Sequence, residues 1–131
     1  ATIESGQTPV VLDWDYLNAA ETAKLPSWKV VIPSDGAPVA GYYFQAINKD
    51  APHPAAARLW QEFLYSDEGQ NLWLAGGARP IRGDAMAKAG TIDKAKWDAL
   101  PTVAGTPVTP TEAQNKAAAD YLAANWAKVV G

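Results

Sequence analysis

The chain has 131 residues, of which 48% are hydrophobic and 19% are charged, and its formal net charge is −3. Such a length corresponds to about one domain, and the apolar content is too high for a disordered chain. The absence of any lysine and arginine stripe excludes a basic nucleic-acid-binding surface. The absence of cysteine excludes disulfides, thiolate metal sites and thiol catalysis. No apolar run reaches the ~20 residues of a membrane span.

The first residues contain no initiator methionine, no basic region and no apolar signal segment. We therefore expect that a signal peptide was removed or that the chain was cut from a longer protein, and we favour the second explanation.

Short strands and one helix are predicted in the first third of the chain. Residues 9–12 are β-branched and apolar, which predicts a short buried strand. Residues 28–32 predict a second strand, and residues 39–47 begin with an aromatic, β-rich pattern that predicts a third. Between the first two strands, the alanine-rich residues 16–24 predict a short helix, with Asp13 or Asp15 as its N-cap.

The clearest helical pattern lies in residues 55–65. The apolar residues of its predicted inner face are Ala56, Leu59, Trp60, Phe63 and Leu64. Ser66 predicts the N-cap of a second helix, in which Leu72 and Trp73 are expected to face inward. The pair Gly76-Gly77 predicts the end of that helix.

Weaker helical patterns cover residues 84–89 and 91–100, and residues 101–110 are rich in proline, threonine and glycine, which predicts a linker. Residues 109–112 fit a capping box with Pro110 at the first helical position. The predicted apolar stripe of this last helix consists of Ala118, Leu122, Trp126 and Val129.

Two groups of residues are candidates for ligand binding. The first consists of Asp13, Trp14, Asp15 and Tyr16, which follow a predicted strand where open α/β sheets bind ligands. Carboxylates beside aromatic rings suit a cationic ligand, through charge-assisted hydrogen bonds and cation–π contacts. The alternative is that Trp14 packs in the core and that the two aspartates are a helix cap and a surface residue.

The second group consists of Asp35 and Gly36, together with Tyr42 and Tyr43. Tyrosine suits a binding site because it combines a large apolar ring with one polar tip. The alternative is that the two tyrosines only pack within a strand.

Metal and nucleophile chemistry has little support. The single histidine, His53, lies between two prolines and is expected to be exposed at a helix entrance. Arg79 and Arg82 follow a glycine pair that lacks the lysine and hydroxyl of a phosphate-binding loop. Solvated or ion-paired surface arginines are the commoner case, although both arginines suit an anionic ligand. No catalytic residue, metal ligand or cofactor is predicted.

Several segments together resemble type II periplasmic solute-binding proteins of ABC importers. Residues 9–16 and 30–36 resemble one run of that superfamily, and residues 51–70, with Phe-Leu-Tyr-Ser-Asp-Glu-Gly-Gln at their end, resemble its helical signature. Residues 77–82 are similar to the proline-containing loop that follows this signature. The closest resemblance is to the branch that includes iron(III), thiamine, polyamine and aminophosphonate binders.

The resemblance implies an α/β fold, of which this chain would be a helix-rich C-terminal portion with a few short strands. It implies that residues 1–29 end the second lobe, that residues 30–33 cross the hinge, and that residues 34–131 belong to the first lobe. Three short strands make at most a marginal sheet, so exposed strand edges are expected to favour self-association.

The resemblance also implies a function without catalysis, namely capture of a solute between two lobes in the periplasm and delivery to an ABC permease. Iron-binding relatives hold the metal with two adjacent tyrosines, and Asp15 and Tyr16 occupy those places here. A carboxylate beside Trp14 favours a small amine-bearing solute of the polyamine or aminophosphonate type. The alternatives are an iron(III) binder that uses Tyr16, a hydrolase fragment and a purely helical interaction module.

Overall fold

The computed structural model describes residues 3–36 and 38–130, and helices are the regular elements of this part of the chain. In chain order the helices are α1 Asp15–Thr22, α2 Pro54–Tyr65, α3 Asp67–Ala75, α4 Gly83–Ala89, α5 Lys94–Asp98 and α6 Glu112–Val129. The helix-rich character that the sequence predicts is confirmed, and each predicted helix has a counterpart.

The chain divides into two compact units. The first consists of Ala1–Ile32 and Phe44–Thr102 and contains α1 to α5. The second consists of Pro33–Tyr43 and Val103–Gly131 and contains α6.

The three predicted strands are absent from the described residues. Residues 9–12, 28–32 and 39–47 contain no strand, and extended pairing is limited to one isolated parallel bridge between Val39 and Val108 in the second unit. A strand needs a neighbour that accepts and donates its backbone hydrogen bonds, and these segments do not supply one to each other. The prediction that residues 9–12 are buried is also wrong, since Val10 and Leu12 are 75% and 92% exposed.

The first unit is organised where α2 meets α3. Ser66 ends one helix and caps the next, because its Oγ donates to the carbonyl of Phe63 at 2.6 Å and accepts from the amide of Gly69 at 3.0 Å. The predicted N-cap is therefore confirmed. Gly69 allows the two helices to approach closely, since a Cβ at this position would lie 2.1 Å from the carbonyl oxygen of Phe63.

The inner face of α3 differs from the predicted one. Leu72 and Trp73 are 59% and 46% exposed, whereas Leu74 is buried and Gln70 is 4% exposed. The hydrogen bonds of Gln70 explain the difference. Its side chain donates to the carbonyl of Leu64 at 2.7 Å and accepts from the amide of Arg82 at 3.0 Å. These bonds turn the Gln70 side of the helix inward, and Leu74 follows one turn later.

The predicted inner face of α2 is only partly covered. Phe63 and Leu64 are half-buried, but Ala56, Leu59 and Trp60 are exposed. The periodicity predicted the correct helix, but the first two turns of its apolar face are mostly exposed in the described structure.

The glycines at the end of α3 form the predicted C-cap. Gly77 has a φ of 83°, its amide donates to the carbonyl of Leu74, and the amide of Ala78 donates to the carbonyl of Trp73. This is the Schellman arrangement, in which a residue in the left-handed region ends the helix.

The last helix, α6, begins two residues later than the capping box that the sequence suggested. Thr111 is the N-cap and forms the box with Gln114, so Pro110 precedes the helix instead of opening it. The predicted apolar stripe of Ala118, Leu122, Trp126 and Val129 is exposed throughout.

Candidate functional site

The first candidate group opens helix α1 in the first unit. Trp14 occupies the N-cap position without a side-chain cap bond, so the prediction of a capping aspartate is wrong. The Oδ1 of Asp13 accepts from the amide of Trp14 at 2.7 Å, and the Oδ1 of Asp15 accepts from the amide of Tyr16 at 2.9 Å. Each carboxylate therefore accepts a hydrogen bond from the amide of the next residue. Neither caps the helix by accepting from an amide one turn ahead.

The side chains of this group are more exposed than those of core residues. Trp14 is 46% exposed and Asp13 is exposed, whereas Asp15 and Tyr16 are half-buried. The alternative that Trp14 is a core residue is therefore wrong. The indole ring and one carboxylate are open to solvent, and a second carboxylate lies one residue further along.

An arginine that is distant in sequence contacts this group. The Nη2 of Arg79 lies 3.4 Å from the Oδ2 of Asp15 and also donates to the carbonyl of Pro101. A Cβ at Gly77 would lie 3.4 Å from the carbonyl oxygen of Tyr16, so the loop after α3 contacts the first turn of α1. The structure thus brings the acidic and aromatic group together with a cationic side chain from the loop.

The second arginine of the same loop has a structural role. The side chain of Arg82 donates to the carbonyl of Tyr65 and pairs with Asp67 at 2.9 Å. Its backbone amide donates to the side-chain oxygen of Gln70. These contacts hold the loop against the junction of α2 and α3. Of the two arginines, Arg79 alone contacts the first candidate group.

The second candidate group belongs to the second compact unit. Asp35, Gly36, Tyr42 and Tyr43 are all exposed, and the tyrosines are 52% and 77% exposed. A Cβ at Gly36 would meet open space, so the backbone there does not require glycine for steric reasons. The two candidate groups lie in different units, and each is described by itself.

An apolar groove between α2 and α3 was not predicted as a site. It is lined by Trp60, Phe63, Leu64, Gly69, Leu72 and Trp73. The rings of Trp60 and Phe63 stack with centroids 5.6 Å apart. Their helical spacing was visible in the sequence, but the groove between the helices depends on the close approach at Gly69. It contains no charged side chain to orient a polar solute.

Other functional chemistry has little basis in the described residues. His53 is exposed at the N-terminus of α2, as predicted, and as the N-cap residue it makes no side-chain cap bond. Within residues 3–36 and 38–130, no group of three or more histidine, aspartate or glutamate side chains is placed to hold a metal ion. The helices of this part of the chain are too short or too polar to cross a membrane.

Comparison with known proteins identifies the class of protein. The family model of the bacterial extracellular solute-binding proteins matches residues 1–106. Because this match covers most of the chain, the protein belongs to that family. No curated protein and no solved structure shows significant similarity to it. The predicted class, a bacterial extracellular solute-binding protein, is confirmed at the level of the family, while the branch, the solute and the location of this chain stay predictions.

Proposed function

We propose that this chain forms part of a periplasmic type II solute-binding protein that captures a small amine-bearing solute and delivers it to an ABC permease. In this proposal residues 1–29 end the second lobe, residues 30–33 cross the hinge, and residues 34–131 belong to the first lobe. The solute favours the closed arrangement because it binds that state more tightly. The protein carries out no catalytic step.

One observation supports the choice of an amine. Two carboxylates, Asp13 and Asp15, flank a half-exposed Trp14 at the start of α1. An ammonium group gains charge-assisted hydrogen bonds from the carboxylates and a cation–π contact from the ring. Asp35, Gly36, Tyr42 and Tyr43 are proposed as a second set of solute-binding residues, because an exposed tyrosine combines a large apolar ring with one polar tip.

The test is titration calorimetry with putrescine and with 2-aminoethylphosphonate. Asp15→Ala and Asp13→Asn should each weaken binding by about tenfold or more, because each removes a charged acceptor worth roughly 1.5–3 kcal/mol. Asp13→Asn is informative because, among the described residues, Asp13 accepts a hydrogen bond from the next backbone amide and holds no other element in place.

The matched control is Asp50→Ala. Asp50 lies in the same unit, its side chain is 79% exposed, and it pairs weakly with Lys49 at 3.9 Å. It should leave the affinity unchanged. If both site variants bind as tightly as the original protein, the role of this group is refuted.

An iron(III) site is the second candidate, because Tyr16 lies beside Asp13 and Asp15. Phenolate and carboxylate oxygens are hard donors, which ferric ion accepts. Addition of ferric ion should then produce a visible tyrosinate–iron absorption band that Tyr16→Phe abolishes. Absence of the band would count against this candidate.

The helical content of the described residues agrees with a third candidate, an interaction module without a ligand. Membership of the solute-binding family favours solute capture over that alternative. A hydrolase has less support still, since His53 is exposed at the start of α2, and turnover by the purified chain would be needed to revive it.

A further inference from the structure

The backbone of Arg79 is held by constrained residues on both sides. Before it, the backbone amides of Gly77 and Ala78 close the Schellman motif of α3 with hydrogen bonds of 2.9 Å and 3.1 Å. After it, Pro80 is buried and fixes its own φ angle. The position of the arginine is therefore set by the end of α3, independently of its own ion pair.

The guanidinium group of Arg79 is only partly used by the protein. Both of its hydrogen bonds to described residues, to Asp15 and to the carbonyl of Pro101, come from Nη2. Arginine carries five N–H donors. The three on Nε and Nη1 make no hydrogen bond to other described residues, and the side chain is 36% exposed. This cation therefore has donors to offer to an acceptor from solution.

Arg82 of the same loop differs from Arg79 in the groups that its side chain contacts. Nη1 of Arg82 donates to the carbonyl of Tyr65 and also pairs with Asp67, and its backbone amide is used by Gln70. The side-chain contacts of each arginine come from a single nitrogen, but those of Arg82 go to the junction of α2 and α3, whereas Arg79 pairs with Asp15 of the first candidate group.

We infer that Arg79 is a specificity-determining residue that selects an amine carrying an acid group, a carboxylate or phosphonate, over a polyamine. Asp13, Asp15 and Arg79 together carry a net charge of −1, which is a poor match for a bare dication. An amine with an acid group places its ammonium on the carboxylates and its oxygens on the free N–H groups of Arg79. This inference rests on the proposed function and names the solute class of the same site.

The experiment compares the binding of putrescine and of 2-aminoethylphosphonate to the 131-residue chain by titration calorimetry at low ionic strength. Arg79→Gln should weaken binding of the aminophosphonate about tenfold, because its oxygens lose their cationic partner. The same variant should tighten binding of putrescine about threefold, because a like charge is removed from the site. Arg79→Lys keeps the positive charge and should retain the original order of preference.

The ratio of the two dissociation constants separates selectivity from stability. Arg82→Gln is the matched control, since it removes a structural arginine of the same loop and should leave the ratio unchanged. Loss of the loop structure would weaken both ligands equally, so an unchanged ratio in Arg79→Gln overturns the inference. If the original protein binds neither compound, the proposed function itself fails. If it binds both but Arg79→Gln leaves the ratio unaltered, only the role of Arg79 fails.

Discussion

Two regions of the molecule differ in how their helices are stabilised, namely the region from α3 to α5 and the helix α6. In the first region, two adjacent side-chain amides join elements that are distant in sequence. Gln70 bonds to Leu64 and Arg82, while Asn71 donates to the carbonyl of Thr91 and accepts from the amide of Asp93.

Helix α6, by contrast, is stabilised by contacts within itself. Its capping box closes the N-terminus, Lys116 pairs with Asp120 one turn later at 2.7 Å, and none of its side chains is buried. Most helical stability in proteins comes from packing of an apolar face. The comparison teaches that a helical pattern predicts where a helix forms, while the bonds between elements decide which face is covered. Three substitutions or titrations test this difference.

The largest effect is expected at the junction of α2 and α3. In an ordinary helix interior, glycine to alanine stabilises by about 1 kcal/mol. Gly69→Ala should instead destabilise the first unit by about 3 kcal/mol, because the new Cβ would lie 2.1 Å from a backbone carbonyl oxygen, which cannot move without shifting α2. Urea denaturation followed by far-ultraviolet circular dichroism measures this change.

Gly36→Ala is the control for that substitution, since a Cβ there meets open space. It should change the free energy of unfolding by less than about 0.5 kcal/mol. A stabilising effect of Gly69→Ala would show that the two helices are not closely packed at this point.

Much of the local structure was predictable, because the responsible signals are close together in the sequence. Ser66 caps α3, Gly77 ends it, and the apolar spacing of residues 55–65 gives α2. The prediction of strands was wrong because a strand depends on residues that are distant in the sequence. Residues 9–12 and 28–32 have β-branched composition, but a strand exists only beside another strand, and local composition does not report whether that partner is present.

The candidate site shows the same limit. Asp13 and Asp15 were selected from their chemistry, and Trp14 between them is 46% exposed, while their role in binding stays a prediction. The contact between Asp15 and Arg79 joins residues 64 positions apart, so no local pattern predicts it. The loop that carries Arg79 reaches α1 because Gly77 packs directly against the backbone of Tyr16.

A smaller effect is expected in α6. Thr111→Ala removes the cap that accepts from the amide of Gln114, which should cost about 1 kcal/mol of helix stability. Because this helix buries no side chain, the loss should appear as faster amide hydrogen exchange in its first turn, without a change in the first unit. Thr109→Ala is the matched control, because the sequence placed the capping box there and the structure places it two residues later. If Thr109→Ala has the larger effect, the observed position of the cap is wrong.

The smallest effect concerns the start of α5, where Asp93 is the N-cap. The side chain of Lys96, followed by its backbone amide, lowers the pKa of Asp93 below its ordinary value of 3.8. A carboxyl group whose pKa is lower in the folded state binds fewer protons there than in the unfolded state. Its contribution to stability is therefore present above pH 3.8 and is lost as the pH falls through the lower folded value.

Carbon-detected NMR titration of the Asp93 carboxyl group measures this pKa directly. Lys96→Ala should raise this pKa toward 3.8, because the side chain that lowers it most is removed, while the cap bond from the backbone amide keeps part of the shift. Full return to the ordinary value would mean that the ion pair alone lowers the pKa. Asn71 accepts from the amide of Asp93 and helps to hold the cap in place, so the cap bond should survive the substitution. No change in the pKa would mean that the backbone cap alone lowers it and would contradict the role of the Lys96 side chain.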